Sequence, residues 1–285
     1  MTVIKKGKST EKTEPINDLD LADGGWRDCT FNTDSLWIIP RRDSTGVHKG
    51  DYHGNFVPQI PREFILRVTK EGGNVLDVFA GSGTTLIEAK SLGRNAVGFD
   101  ISAEARAITN SRLANTKSLE SRANEVKVLD RDALDSRSYR DLKEQFDLVF
   151  IHPPYLDIVE FSKDPRCLAQ LVKEENSIHH KKVYFYQYMR QLMRYVEMSL
   201  KVGGHFVYVI GDVYRKGEWH TVGFDSWKEM LGGRPELLTK AVVVKNMEGN
   251  ERSKGLRKNL WRYRHLKNGS FDFKHEYIFL GRKIS

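Results

Sequence analysis

The feature that most constrains this chain is a repeated change of hydrophobic period. Continuous apolar runs at 75–79, 96–99, 126–129, 148–151 and 206–210 alternate with helical spacing at about 84–91, 103–113 and 184–200. Short apolar runs without polar alternation are what strands buried on both faces look like. Their alternation with helices predicts an α/β fold with a mostly parallel sheet, because parallel neighbours need a crossover. Right-handed crossovers bring every strand-to-helix turn to the carboxyl edge of that sheet. Two further runs, 238–244 and 277–280, complete seven strands, ending in a strand pair with no helix expected between them. Residues 35–40 read as a short edge strand closed by Pro40. Pro58 and Pro61 introduce a helix carrying Phe64, Ile65 and Val68 at helical spacing. Within 184–200, Phe185, Met189, Leu192, Val196 and Leu200 make one stripe, which is core packing.

Two of the turns carry chemistry. In the first, Asp77-Val78-Phe79-Ala80-Gly81-Ser82-Gly83-Thr84-Thr85, a strand must turn sharply into a helix. Gly81 and Gly83 permit the tight backbone and the close approach of a ligand to free helix N–H groups. No Gly-Lys-Ser/Thr follows, which excludes a P-loop. Asp100 ends the next strand, 23 residues after Asp77, where an acid accepts hydrogen bonds from ribose hydroxyls. Asp132 follows the third strand, in position for an adenine amine. Spacing alone leaves a nicotinamide dinucleotide open. The second turn is His152-Pro153-Pro154-Tyr155, closing the strand that begins at Asp147. It presents a backbone carbonyl and an aromatic face to a flat, amine-bearing group.

Charge is unevenly placed. From Lys245 to Ser285 there are eleven Lys/Arg against four Asp/Glu, so seven of the net eight positive charges lie in the last 41 residues. A basic surface is often a solvated face and nothing more. Here Lys245, Arg252, Lys254, Arg257, Lys258, Arg262, Arg264 and Lys267 are interleaved with Trp261, Tyr263 and His265, which suits phosphates and bases together. The connection 245–274 is also long for two adjacent strands. Residues 1–30 read as a flexible lead-in to a single domain over 31–285. No secretory signal, no membrane span and no zinc motif is legible, so the expected location is cytoplasmic. His179-His180-Lys181-Lys182 lacks further ligands at metal spacing, so no metal is expected, and 156–183 reads as a mobile substrate loop. Gly211-Asp212-Val213 is expected at the pocket floor.

Taken together, the glycine turn and the tetrapeptide resemble the cofactor and catalytic motifs of S-adenosylmethionine (SAM)-dependent amino-methyltransferases acting on adenine N6 or cytosine N4 in DNA, in the order cofactor motif first. Those enzymes usually have Asp, Asn or Ser where this chain has His152. The resemblance spans about 36–212 and the terminal strand. It implies a seven-stranded Rossmann-like SAM-methyltransferase fold with an antiparallel last strand beside the sixth. It implies that Asp77, Phe79, Ala80, Gly81, Ser82, Gly83, Thr84, Asp100, Ile101, Asp132 and Ala133 hold SAM, with 35–61 closing over its methionine end. His152, Pro153, Pro154 and Tyr155 would be catalytic. Arg252, Lys254, Arg257, Lys258, Trp261, Arg262, Tyr263 and Arg264 would contact DNA. The reaction implied is methyl transfer to an exocyclic base amine, adenine slightly favoured; restriction-modification, solitary epigenetic marking and evasion of defence by a phage are equally open as its setting. Target selectivity would come from 245–274, from 156–183 or from a partner subunit.

In this family the first tetrapeptide side chain and the carbonyl of the next residue, here Pro153, accept the two N–H bonds of the amine. A neutral imidazole can accept one of them, with an ordinary pKa of ~6.5. An acidic activity limb is therefore expected near that value, and His152→Asn should remove it. The alternatives are an RNA base methyltransferase, a protein-glutamine methyltransferase and a non-catalytic DNA-binding copy. Product analysis with labelled SAM separates them.

Overall fold

The computed structural model describes residues 15–19, 26–27, 30–52, 54–119, 124–158, 162–173, 175, 177–215, 217–247, 258–271 and 274–285, with 258–261 described by their backbone. In chain order the elements are β1 (Leu36–Trp37), α1 (Gln59–Val68), β2 (Asn74–Asp77), α2 (Thr84–Ser91), β3 (Asn95–Phe99), α3 (Ala103–Ala114), β4 (Val126–Leu129) and β5 (Phe146–Ile151). There follow α4 (Leu168–Lys173), α5 (Ile178–Ser199), β6 (Leu200–Ile210), β7 (Val213–Arg215), β8 (Glu218–His220), α6 (Gly223–Leu231), β9 (Leu237–Asn246), α7 (Lys258–Asn268) and β10 (His275–Lys283).

The main sheet runs β1-β9-β10-β6-β5-β2-β3-β4. β10 is antiparallel to both β6 and β9, and the other pairs are parallel. The antiparallel last strand beside the sixth long run is therefore present. The strand count is eight, not seven. The addition is β1, whose Leu36 and Trp37 pair with Val244 and Lys245. Two residues suffice because Trp37 is buried, stacks on Phe64 at 5.6 Å and donates its indole N–H to the Asp34 carbonyl.

Apolar continuity has the expected cause. Along β5, Leu148 and Phe150 face a core shared with α1 and α2, while Val149 and Ile151 face one shared with α5 and α6. Both faces are covered, so no position can be polar without a partner. The stripe Phe185, Met189, Leu192, Val196 and Leu200 is fully buried on the α5 side. Ser177 caps α5 by accepting from the His180 N–H, so 178–182 is helix and not the expected loop.

Three further expectations are corrected. α7 lies between β9 and β10, where no helix was expected. β7 and β8 form a small hairpin over the carboxyl edge, turning at Gly217 (φ 88°), too short to show a period in sequence. Of the lead-in, 15–19 is docked: the Asn17 amide donates to the Arg67 carbonyl and Asp18 pairs with Arg94 at 3.0 Å. No described helix is long and apolar enough to cross a membrane.

Candidate active site

Every turn at the carboxyl edge opens into one cavity of about 820 Å³. The glycine turn forms one wall. Gly81 (φ 52°) and Gly83 (φ 84°) are both left-handed, and a Cβ on Gly83 would lie 2.6 Å from a Thr109 methyl. The turn is fixed from below: the Gly81 N–H donates to Asp100 at 2.8 Å, and the Thr109 hydroxyl donates to the Gly81 carbonyl at 2.9 Å. Asp77, Phe79, Ala80, Gly81, Thr84, Asp100, Ile101, Asp132 and Ala133 all line the cavity. Ser82 and Gly83 do not. Ser82 is buried behind the turn, where its hydroxyl donates to Asn55.

The three acids are held in low-dielectric surroundings. Burial raises Asp77 to about 6, only partly opposed by the nearby Thr85 hydroxyl and by the hydrogen bond from the Phe79 N–H. Burial likewise raises Asp100 and Asp132 above the usual carboxylate range, against backbone N–H bonds from Ser102 and Gly81 and from Leu134 respectively. Such groups gain most from a cationic or hydroxyl-bearing ligand.

The opposite wall comes from the loop between β1 and α1. Arg42, Tyr52, Asn55 and Phe56 line the cavity, and Tyr52 lies against the face of Gly81 that lacks a side chain. The loop is pinned by His48, which bonds Glu88 at 2.7 Å, while Arg62 bridges Glu88 and Asp43.

At the end of β5, His152, Pro153, Pro154 and Tyr155 face the same cavity. Leu156 follows in the left-handed region (φ 53°), a strained choice for leucine that its complete burial holds. Asp157 then clamps the loop to Lys181 of α5 and Arg215 of β7, both at 2.7 Å. The His152 Nε2 lies 3.1 Å from the Tyr155 hydroxyl, and that hydroxyl lies 3.4 Å from Glu276 on β10. Glu276 in turn accepts from the buried Lys245 of β9 at 2.8 Å. Burial first, and the Lys245 charge after it, lower His152 to about 4, with Glu276 opposing. Tyr155 is held well above its usual range by burial and by Glu276.

Comparisons with known proteins bear on what this arrangement is. Residues 4–111 match the N6/N4 methyltransferase family model, described as DNA methylase. Type II methyltransferase M.MjaII of Methanocaldococcus jannaschii is 42% identical over 57 residues, 20% of this chain and 10% of that protein. M1.MboII of Moraxella bovis is 52% identical over 48 residues, 15% of this chain and 18% of that protein. M2.DpnII of Streptococcus pneumoniae is 51% identical over 49 residues, 17% and 18% respectively. The match to the N6/N4 DNA methylase model is confined to residues 4–111 of the chain. Just over half of the chain, residues 64–210, belongs to the family described as conserved hypothetical protein 95. These matches span only 10–18% of the length of the three relatives. Among solved structures, TrmN from Thermus thermophilus has a TM-score of 0.51 at 17% identity, over 82% of this chain and 51% of that one. PH0851 gives 0.52 at 15% identity, over 83% and 49%. Both show a shared fold.

N6/N4 methylases use SAM, and the site fits a cationic nucleoside: the left-handed Gly81 leaves room at the cavity wall, and the buried Asp77 and the partly buried Asp100 and Asp132 line it. The structure does not support an acid limb near 6.5, because burial lowers His152 to about 4. Sequence reasoning missed Glu276, read as part of a terminal strand, and Phe56, whose ring centroid lies 4.9 Å from that of His152. It also counted Lys245 and His265 in the basic, aromatic segment suited to nucleic acid. Lys245 is fully buried in its ion pair, and His265 is buried against Tyr214 and Ser270. The one sequence signal for burial was that Lys245 and Glu276 adjoin the continuous apolar runs 241–244 and 277–280. Gly211 and Asp212 do line the cavity, with Asp212 fixing the start of α6 through the Val222 and Gly223 N–H groups.

None of the described basic residues of 245–274 lines the cavity. Arg262, Tyr263 and Arg264 are exposed on α7. Arg252, Lys254 and Arg257 lie outside the described residues, as do the side chains of Lys258 and Trp261.

Proposed function

We propose that the protein transfers a methyl group from SAM to the exocyclic amine of a base in DNA, adenine N6 slightly favoured over cytosine N4. The observation that carries this reading is the opening of the glycine turn and the His152 tetrapeptide into one cavity. SAM, when bound, supplies an electrophilic methyl. Asp77, Phe79, Gly81, Thr84, Asp100 and Asp132 would hold it, with Tyr52 and Asn55 covering it. The amine is a poor nucleophile because its lone pair is delocalised into the ring. The His152 imidazole and the Pro153 carbonyl would accept its two N–H bonds and localise that pair. Two prolines restrict the backbone around that carbonyl, and neither offers a competing N–H. Positioning then supplies most of the acceleration.

A base in a duplex reaches such a cavity only after rotation out of the stack. The exposed Arg262, Tyr263 and Arg264 support a role for α7 in gripping the DNA. The Tyr214–Ser270 and His265–Ser270 contacts tie the end of α7 to the hairpin at the cavity mouth. The type II names of the relatives support a modification role, with selectivity from α7 or a partner subunit. Labelled SAM offered separately with DNA, RNA and protein, followed by nucleoside analysis, tests the reading. A methylated adenine or cytosine from DNA supports it, and label in RNA or protein alone overturns it.

A further inference from the structure

The reaction as derived above uses His152 but not the Lys245–Glu276–Tyr155 contacts that lead to it. These begin at an ion pair with nearly no solvent access: Lys245 is 0% exposed and Glu276 6%. The two residues are direct partners in the β9–β10 ladder, so sheet register fixes their separation. Lys245 donates to one Glu276 oxygen and to the Asn246 carbonyl. The other Glu276 oxygen faces the Tyr155 hydroxyl, whose far side meets His152 Nε2.

A phenol has one proton to place. Directed at His152, it would leave the phenolic lone pairs facing a carboxylate in a low-dielectric site, which is repulsive. Directed at Glu276, it makes a charge-assisted contact, and the phenolic oxygen is then left to accept from Nε2–H. Nδ1 is the nitrogen that remains. No described donor engages it, and His152 lines the cavity. The Phe56 ring against the imidazole restricts its rotation.

We infer that Glu276, acting through Tyr155, is a positioning residue that holds His152 as the Nε2–H tautomer and presents Nδ1 to the target amine. Lys245 holds the Glu276 carboxylate in place through their 2.8 Å ion pair. The histidine at a place usually held by Asp, Asn or Ser thus has a support of its own: a carboxylate accepts through either oxygen, whereas a neutral imidazole accepts through one nitrogen only. After transfer the methylated nitrogen loses one proton. Nδ1 is placed to take it, which leaves an imidazolium facing Glu276 across the Tyr155 oxygen.

The effect on rate rests on the methyl-transfer reading, but the tautomer is read in the protein alone. Nitrogen-15 correlation spectra of histidine-labelled protein, assigned with His152→Asn, distinguish a protonated Nε2 from a protonated Nδ1. Wild type is expected to show Nε2–H. Tyr155→Phe keeps the ring and the Lys245–Glu276 pair, and is expected to give a mixture of tautomers and lower kcat at least about tenfold with KM for SAM little changed. Glu276→Gln should shift the tautomer the same way. If the buried Lys245 then prevents folding, Glu276→Gln combined with Lys245→Met removes the unpaired charge. A wild-type Nδ1–H signal, or a tautomer unchanged in both Tyr155→Phe and Glu276→Gln or its double variant, overturns the inference. Absence of methylated product from the wild type would count against the methyl-transfer reading instead.

Discussion

The Phe56 ring packs on the His152 imidazole at 4.9 Å between centroids, tilted by 45°. One residue comes from the loop between β1 and α1 and the other from the turn after β5, so that loop supplies part of the cover of the imidazole. Removing the ring should therefore rehydrate the imidazole. Phe56→Ala is expected to raise the His152 pKa from about 4 toward the ordinary value, as read by NMR titration. It should also cost about 3 kcal/mol or more of stability, since Phe56 is 5% exposed.

His152 makes the enzyme's acid tolerance measurable. With a folded pKa of about 4, methyl transfer should stay flat down to about pH 5 before falling. Stability behaves differently. The unfolded imidazole, near ~6.5, binds its proton first, so stability is full above that value and declines as pH falls toward 4. His205, lowered to about 4 by burial with Arg282 and Lys240, adds to the same decline. His152→Asn should shallow the slope of Tm against pH between about 6.5 and 4. An unchanged slope, or an activity limb near 6.5, contradicts the assignment.

The order of strands and the two chemical turns were legible because burial on both faces writes itself as uninterrupted apolar runs. Glycines 81 and 83 were legible because left-handed backbone leaves little choice of residue. β1 was legible as a short edge strand closed by Pro40, and the structure keeps two of its residues at the sheet edge. The features that were missed share a different cause. β7 and β8 have three residues each. Lys245 and Glu276 are charges that a composition count assigns to the surface, and only the register of β9 on β10 pairs them. Phe56 reaches His152 across nearly a hundred residues of chain, a meeting that no local pattern announces.

Asp77 is expected to weaken the fold for the sake of the site. Its folded pKa of about 6 lies above the ordinary carboxyl value, so the folded state holds a proton that the unfolded state has released. Stability tied to this group is present at low pH and disappears as pH rises through 6. Asp77→Asn should therefore raise Tm at pH 7 to 8, by up to roughly 3 kcal/mol in stability, with little gain at pH 4. SAM affinity, measured by calorimetry, should fall in the same variant.

α7 supplies a test of the nucleic-acid interface separate from the chemistry. Replacing both Arg262 and Arg264 with Ala should weaken DNA binding across sequences and reduce the salt slope of log Kd by about 1 for each phosphate that is no longer neutralised. Calorimetric SAM binding should be unchanged, because neither residue lines the cavity. An unaltered salt slope would place the DNA elsewhere.

The account turns on His152 beside the methyl donor, and nucleoside mass spectrometry of duplex DNA incubated with SAM tests it most directly. Wild type should yield a base methylated on its exocyclic nitrogen, N6-methyladenine above all. His152→Ala should diminish that product by about a hundredfold or more while retaining the fold. No methylated base from the wild type, or equal yields from both proteins, would contradict it.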